Sequence, residues 1–151
     1  MVKIYVDADA CPVKEETVRV AERHELTVFM VSNQWMRLPS SRVVRQKLVG
    51  AGADKADDWI AEQVGDEDIV ITADIPLASR CLAKNSLVLG PSGRPFDEEG
   101  IGMALAMREL HAHLRETGDF KSGGGAFSKK DRSRFLSALE EGVRKIQRAK
   151  R

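Results

Sequence analysis

The sequence contains few cysteines and no long apolar run. Only Cys11 and Cys81 occur among its 151 residues, in neither a CxxC nor a histidine-spaced zinc pattern. This scarcity argues against a disulfide scaffold and for a reducing compartment, and both cysteines are expected to be packing residues. No apolar stretch approaches the roughly 20 residues that a membrane-spanning helix needs, and the opening MVKIYVDADA lacks a signal-peptide pattern. We therefore expect a cytoplasmic protein with no membrane association.

The charge of the chain is close to neutral but unevenly distributed. The net charge is +1. Residues 1–120 are acidic, with 14 basic and 20 acidic side chains, whereas residues 121–151 are basic, with 10 basic and 3 acidic side chains. A basic segment of this kind can bring a polyanion to an acidic site. A solvated basic helix is the simpler interpretation when the charge is considered alone.

Short β-rich runs alternate with helical patterns along the chain. Strands are predicted over residues 2–6, 26–31, 68–72 and 86–89, and helices over residues 12–24, 55–64, 75–83, 97–116 and from 128 onward. Residues 32–41 are typical of a long loop, and residues 42–49 fit either an edge strand or a short helix. The alternation predicts a three-layer α/β/α domain with a mostly parallel central sheet. We assign residues 1–120 to this domain and residues 121–151 to a glycine-rich connector and a basic C-terminal helix packed on it.

Five aspartates fall at positions where predicted strands end or helices begin. Asp7 and Asp9 follow the first strand in VDADA, Asp57 and Asp58 open a helix in ADKADDWIA, and Asp74 follows a strand in VITADIPLA. Strand carboxyl ends and helix amino ends share one edge of an α/β sheet, where such folds bind ligands. Because alternate residues of a strand share a face, Asp7 and Asp9 are expected to point the same way.

Carboxylates gathered at one edge repel one another, so a cation is expected to neutralise them. Mg²⁺ or Mn²⁺ is the natural candidate because hard cations prefer oxygen ligands. In phosphodiester hydrolysis such ions activate water and stabilise the leaving oxygen. Each aspartate also has a structural alternative: Asp57 and Asp58 can be helix-start residues, and Asp74 can be the N-cap of the next helix. Their joint placement favours a shared site.

Three motifs resemble a known group of proteins. ADKADDWIA looks like the acidic helix of flap-endonuclease and 5′-nuclease cores, VITADIPLA resembles the strand–Asp–turn–helix element of PIN-like ribonucleases, and VDADA resembles their first strand. Over nearly its whole length the chain is similar to the YaiI/YqxD family of small bacterial proteins, a PIN-like group. The runs VDADACPVK and GGGAFSKKDRSRF carry that closer resemblance.

The resemblance implies a PIN-like parallel sheet, an acidic divalent-metal centre and cleavage of single-stranded or structured RNA. It marks Asp7, Asp58 and Asp74 as catalytic candidates, with Asp57 as the alternative to Asp58. These four and Asp9 are the candidate metal ligands. Two features depart from the nuclease pattern, namely the DxD of the first strand and the lack of a matching fourth acid after Asp74. Both bear on activity more than on fold.

Two groups of residues are predicted to contact a nucleic-acid substrate. Trp35 and Arg37, in the loop after the second strand, can stack a base and contact a phosphate, although Trp35 can equally anchor its loop against the core. Basic residues at the start of the last helix can hold phosphates beside exposed helix-start N–H groups. They are Lys129, Lys130, Arg132 and Arg134. Solvated helix-surface charge is the alternative for these four.

Three functions remain open from the sequence. The first is a Mg²⁺- or Mn²⁺-dependent nuclease acting on RNA. The second is a phosphatase of the haloacid-dehalogenase type, which also begins with DxD after its first strand and uses an aspartate as nucleophile. Its later Ser/Thr and Lys motifs are not evident here. The third is a non-catalytic RNA- or partner-binding module, whose affinity would fall steeply with salt.

Overall fold

The strands of the protein form from short runs rich in β-branched and aliphatic residues. The computed structural model describes residues 2–52, 54–102 and 127–149. Its strands are β1 (Ile4–Asp7), β2 (Val28–Ser32), β3 (Val44–Leu48), β4 (Ile69–Ile71) and β5 (Leu87–Leu89). The four predicted strands are confirmed with shifted ends, and the ambiguous segment 42–49 contains a strand. Residues 33–43 form neither helix nor strand, in agreement with the predicted loop.

The sheet is parallel throughout, in the order β3-β2-β1-β4-β5. The chain runs outward from β1 to β2 and β3, and then returns to place β4 on the other side of β1. The carboxyl ends of β1 and β4 therefore flank the point at which the winding direction changes, where open α/β sheets bind ligands. Val6 pairs with Ile71 in this register. The residues that follow them, Asp7 and Thr72, consequently emerge side by side.

Helices cover both faces of the sheet. They are α1 (Lys14–His24), α2 (Lys55–Gln63), α3 (Ile75–Leu82) and α4 (Lys129–Ala149). These positions agree with the prediction, except that α1 begins two residues after Pro12, because a short 3₁₀ helix (Ala8–Ala10) and a turn follow β1. Residues 98–102 are also helical. The rest of the predicted helix 97–116 and the connector 121–126 lie outside the described residues.

The core has two halves, one on each face of the sheet, because side chains alternate along every strand. Ile4 and Val6 of β1 pack in the half that α1 and α4 cover, whereas Tyr5 between them packs in the half that α2 and α3 cover. The result is the predicted three-layer α/β/α arrangement. In the part of the chain that the structure describes, no helix is long and apolar enough to cross a membrane.

The apolar stripe of α4 packs against the sheet face that α1 also covers. Phe135, Leu139 and Val143 are completely buried in the same cluster as Ile4 and Met30. Their spacing of four residues places them on one side of the helix. Helix α4 is therefore an integral part of one outer layer of the domain.

Polar contacts fix α4 along its length. At its start, Ser128 and Asp131 form a reciprocal capping box: the Ser128 N–H donates to Asp131 Oδ2 at 3.0 Å, and the Asp131 N–H donates to Ser128 Oγ at 3.2 Å. Farther along, a carboxylate oxygen of Glu140 lies 2.9 Å from Arg23 Nη1 and the other lies 2.7 Å from His24 Nε2. Both partners belong to the last turn of α1, so these contacts join the two helices.

Candidate acidic site at the carboxyl edge of the sheet

A small pocket opens where β1 and β4 end. It has a volume of about 260 Å³ and is lined by Asp7, Cys11, Ile71, Thr72, Ala73, Asp74 and Pro91. Its position matches the crevice at which doubly wound sheets bind ligands. A larger groove of about 590 Å³ lies between β5 and α4. That groove is mainly apolar and contains none of the predicted site residues, so the smaller pocket is the better candidate for chemistry.

Asp7 is the last residue of β1, and its carboxylate contacts Thr72. The Thr72 hydroxyl donates to Asp7 Oδ2 at 3.1 Å. Burial raises the pKa of Asp7; the bond from Thr72 acts in the opposite direction, while the charges of Asp74 and Asp9 raise the pKa further. Thr72 is a site residue that the sequence prediction missed. Its signal is the strand-terminal position two residues before Asp74, where a hydroxyl can reach both neighbouring aspartates.

Asp74 combines a structural role with a place in the pocket. Its Oδ1 accepts the Leu77 N–H at 2.9 Å, and its own N–H donates to Thr72 Oγ at 3.0 Å. The predicted N-cap role is therefore confirmed. Oδ2 accepts no hydrogen bond from the described residues. The cap fixes the carboxylate at the mouth of the pocket and leaves one oxygen available to a ligand.

Asp57 and Asp58, which the sequence left as alternatives, have different surroundings. Asp58 Oδ1 accepts a hydrogen bond from Arg80 Nη1 at 2.8 Å, in a half-exposed ion pair. Asp57 makes no hydrogen bond or ion pair with the described residues. Burial, together with the charges of Asp74 and Asp7, raises the pKa of Asp57 to about 6. Asp57 is thus the member of the pair whose charge interacts with the pocket carboxylates.

Asp9 does not share a strand face with Asp7, and that prediction is wrong. The strand ends at Asp7, and Asp9 lies in the 3₁₀ helix that follows, where the alternation of a strand no longer applies. Asp9 is exposed, and its Oδ2 accepts the Asn33 N–H at 3.0 Å. The Asn33 side chain in turn donates to Gly52 O at 2.6 Å. Asp9 therefore helps to join the loops that follow β2 and β3.

The carboxylates lie near one another without forming a ready-made metal cage. The charge of Asp74 raises the pKa of Asp7, and the charges of Asp74 and Asp7 raise the pKa of Asp57. Among the residues that the structure describes, no group of three or more His, Cys, Asp or Glu side chains is arranged to hold a metal ion. Cys11, which lines the pocket, is buried, and burial raises the pKa of its thiol. A packing role agrees with that environment better than a nucleophilic one.

The chain can be placed among known proteins. The profile described as "Uncharacterized BCR, YaiI/YqxD family" matches residues 5–145. The chain belongs to this family. A UPF0178 protein of Parvibaculum lavamentivorans is 62% identical over 148 residues, which are 98% of this chain and 97% of that protein. UPF0178 proteins of Agrobacterium fabrum and Rhizobium meliloti are each 56% identical, over 97% and 96% of this chain and 95% and 99% of their own lengths. No solved structure matches the chain.

In this YaiI/YqxD family member, Arg132 is committed to contacts within the protein. Its Nη1 donates to Pro12 O at 2.7 Å and lies 3.2 Å from Glu16 Oε2. Its guanidinium also stands over the Phe127 ring, 4.9 Å from the centroid. Glu16 is only 8% exposed, so Arg132 compensates a nearly buried carboxylate. Of the four predicted phosphate contacts, Arg132 is the one with an evident structural role.

The other three predicted phosphate contacts are exposed on the first turns of α4. Lys129 and Lys130 make no ion pair with the described residues. Arg134 Nη1 lies 4.0 Å from Asp131 Oδ1 on the same helix, in a weak and solvated pair. Their cationic groups are therefore available to a partner.

Loop 90–95 connects this basic turn with the acidic pocket. Gly93 has φ of +87°, and a Cβ there would lie 2.7 Å from Arg134 O, so the loop packs directly on the backbone of α4. Pro91 of the same loop lines the pocket with Asp7. One loop therefore contacts both the first turns of α4 and the acidic pocket.

Trp35 and Arg37 lie in the loop that follows the carboxyl end of β2. Trp35 is 71% exposed, so the alternative that this indole anchors the loop is wrong. Met36 and Leu38 on either side of Arg37 pack against the core and perform that function. Arg37 is exposed and makes no ion pair with the described residues.

Proposed function

We propose that the chain is a Mg²⁺- or Mn²⁺-dependent phosphodiesterase that cleaves RNA at the pocket between β1 and β4. The observation that carries this proposal is the gathering of carboxylates at the switch point of a parallel sheet: Asp7 and Asp74 line one pocket, and their charges raise the pKa of Asp57. Repulsion of this kind costs stability until a cation neutralises it. The set supplies only oxygen donors, which suits a hard divalent ion.

Each residue of the pocket has a distinct part in this proposal. Asp7 and Asp74 would hold the cation from the ends of neighbouring strands, and Asp57 would hold it from the start of α2. A bound cation supplies charge neutralisation at the phosphate and activation of water. Thr72 positions Asp7 through its hydroxyl. Asp58 is held by Arg80, so the proposal uses Asp57 as the third acid.

The charge distribution gives a polyanionic substrate a way to approach an acidic pocket. Lys129, Lys130 and Arg134 present exposed cationic groups on the first turns of α4, and the backbone of Arg134 contacts loop 90–95. Phosphates bound there would bring the adjoining phosphodiester towards the carboxylates. The resemblance of the VDADA, ADKADDWIA and VITADIPLA motifs to PIN-like nucleases supports the same function.

A cleavage assay tests the proposal. Labelled single-stranded RNA is incubated with Mn²⁺ and the wild-type protein, or with the Asp7→Asn, Asp57→Asn or Asp74→Asn variant. Each substitution is expected to remove most of the activity. Asp66→Asn is the matched control, because it makes the same chemical change just before β4, at the opposite edge of the sheet. Unchanged cleavage in all three site variants would refute the proposal.

The two alternative functions give different results in the same experiment. Burst release from a generic phosphomonoester that depends on Asp7, without cleavage of RNA, would identify the phosphatase. Binding of RNA in EDTA with no cleavage in Mn²⁺ would identify the non-catalytic module. The assay therefore includes a monoester substrate and a binding measurement in EDTA.

A further inference from the structure

Trp35 exposes an unusually large apolar surface. In the described part of the chain, Trp35 at 71% and Leu48 at 47% are the exposed large hydrophobic side chains. Isolated exposed aliphatic residues are common on protein surfaces and need no explanation. An exposed indole is less common, because tryptophan is highly buried on average. Its surroundings therefore decide whether it has a role.

The backbone on both sides of Trp35 is fixed. Ser32 Oγ donates to Gln34 O at 2.8 Å, and Gln46 Nε2 donates to Met36 O at 3.3 Å. Met36 also packs against the core. The residues before and after Trp35 are thus tied to β2 and β3 while the indole remains in solvent. A fixed backbone lowers the conformational entropy that the loop loses when it contacts a ligand.

The Trp35 loop lies on the same sheet edge as the acidic pocket. It follows the carboxyl end of β2, which pairs with β1. Its first residue, Asn33, donates its backbone N–H to Asp9 Oδ2, two residues beyond Asp7. The loop that carries Trp35 therefore begins beside the residues that follow Asp7.

The charge of this region suits a polyanion. Residues 27–53 contain four basic side chains, Arg37, Arg42, Arg45 and Lys47, and no acidic one. Arg37 is the basic residue nearest to Trp35 in sequence, and it lines a shallow pocket of about 440 Å³ together with Lys14 and Glu15. Proteins stack a base on an aromatic ring and hold its phosphate with a nearby cationic side chain; Arg37 is two residues from Trp35 in the sequence.

We infer that Trp35 stacks an unpaired nucleobase of the substrate and that Arg37 contacts the adjoining phosphate. The inference rests on the proposed function, because it gives the acidic pocket between β1 and β4 a preference for single-stranded substrates. Bases in a duplex are stacked on one another, so their faces are not available to the indole. Base stacking tolerates sequence variation, and the preference therefore concerns strandedness and not a particular base.

Tryptophan fluorescence provides the test. The chain has two tryptophans, so a Trp59→Phe variant leaves Trp35 as the only tryptophan. This variant is titrated in EDTA with a short oligouridine and with a duplex RNA of the same length. The single strand is expected to quench the fluorescence of Trp35. The affinity for single-stranded RNA should be about tenfold weaker in Trp35→Ala and largely retained in Trp35→Phe. Both of these variants are measured by the fluorescence anisotropy of labelled RNA. Leu48→Ala, which removes the other exposed hydrophobic side chain, is expected to bind as the wild type does.

The outcomes separate this inference from the proposed function. Unchanged affinity in Trp35→Ala, or equal affinity for single strand and duplex, would overturn the stacking role even if Asp57→Asn abolishes cleavage. If no RNA quenches the fluorescence of Trp35, the inference is wrong. Binding that depends on Trp35 in a protein without nuclease activity would support stacking and reject the proposed catalysis.

Discussion

Thr72 and Asp7 form the contact that joins the two strands at the candidate site. The Thr72 hydroxyl donates to Asp7 Oδ2 at 3.1 Å and accepts the Asp74 N–H at 3.0 Å. One buried side chain thus positions acids at the ends of both β1 and β4. The contact follows from the parallel register, which places Thr72 beside Asp7.

Replacing Thr72 by valine is expected to loosen this arrangement without changing the shape of the side chain. The substitution removes the donor to Asp7 and the acceptor for the Asp74 N–H, at a cost of about 1–3 kcal/mol in the free energy of unfolding. Because the bond lowers the pKa of Asp7, its loss should raise that pKa further. Urea denaturation and carboxyl NMR titration measure the two effects. Thr72→Ser keeps the hydroxyl, so the pKa of Asp7 should stay at its wild-type value. If the pKa of Asp7 shifts as much in Thr72→Ser as in Thr72→Val, the hydroxyl of Thr72 does not set that pKa.

Asp57 is expected to reduce stability at neutral pH when no cation is present. Its pKa of about 6 lies above its ordinary value of 3.8, so the folded chain binds this proton more tightly than the unfolded chain does. The free energy of unfolding therefore decreases as the pH rises from about 4 through about 6. Asp57→Asn should raise it by on the order of 1 kcal/mol at about pH 8, after allowance for partial exposure. The gain should vanish below about pH 4.

Urea denaturation at several pH values measures this effect, with Asp66→Asn as the control that lacks the pocket environment. Mn²⁺ should stabilise the wild type more than Asp57→Asn, because a ligand that binds only the folded state raises its stability. A less stable Asp57→Asn variant at about pH 8 would show that the carboxylate is not repelled by its neighbours.

Sequence alone was sufficient for the parts of the fold and site that depend on local periodicity. Asp7 and Asp74 follow short, continuous apolar runs that the structure buries, so their positions at strand ends could be predicted from the sequence. The N-cap role of Asp74 and the capping box at Ser128 were predictable for the same reason, since both depend on residues three positions apart.

The remaining features depend on distant partners, and local patterns do not show them. Arg132 has the sequence context of a phosphate contact, yet its partner Glu16 is 116 residues away. Asp57 and Asp58 differ in role because Arg80, which lies on a different helix, forms an ion pair with Asp58. A tertiary contact decides which charge is compensated and which is left for a ligand.

Arg132 is accordingly predicted to affect stability more than binding. Arg132→Met retains an apolar side chain of similar length but leaves Glu16 nearly buried and unpaired. Its loss of stability is expected to be about 1–3 kcal/mol in urea denaturation. The double variant Glu16→Gln/Arg132→Met removes the unpaired charge and should recover part of that loss. If the single variant is as stable as the wild type and instead binds RNA more weakly, Arg132 contacts phosphate and the structural assignment is wrong.

Lys129 and Lys130 are predicted to affect RNA binding with little change in stability, because both are exposed and unpaired among the described residues. Replacing both lysines by alanine should weaken the binding of single-stranded RNA. It should also reduce the magnitude of the slope of log affinity against log salt by about 1.4, because each phosphate contact contributes about 0.7 to that slope for a single strand. Lys145→Ala/Arg148→Ala is the matched control, as it removes two exposed charges from the other end of α4. If the two double variants reduce the slope equally, the attraction of RNA depends on the total charge of the chain. In that case the start of α4 does not guide RNA to the pocket.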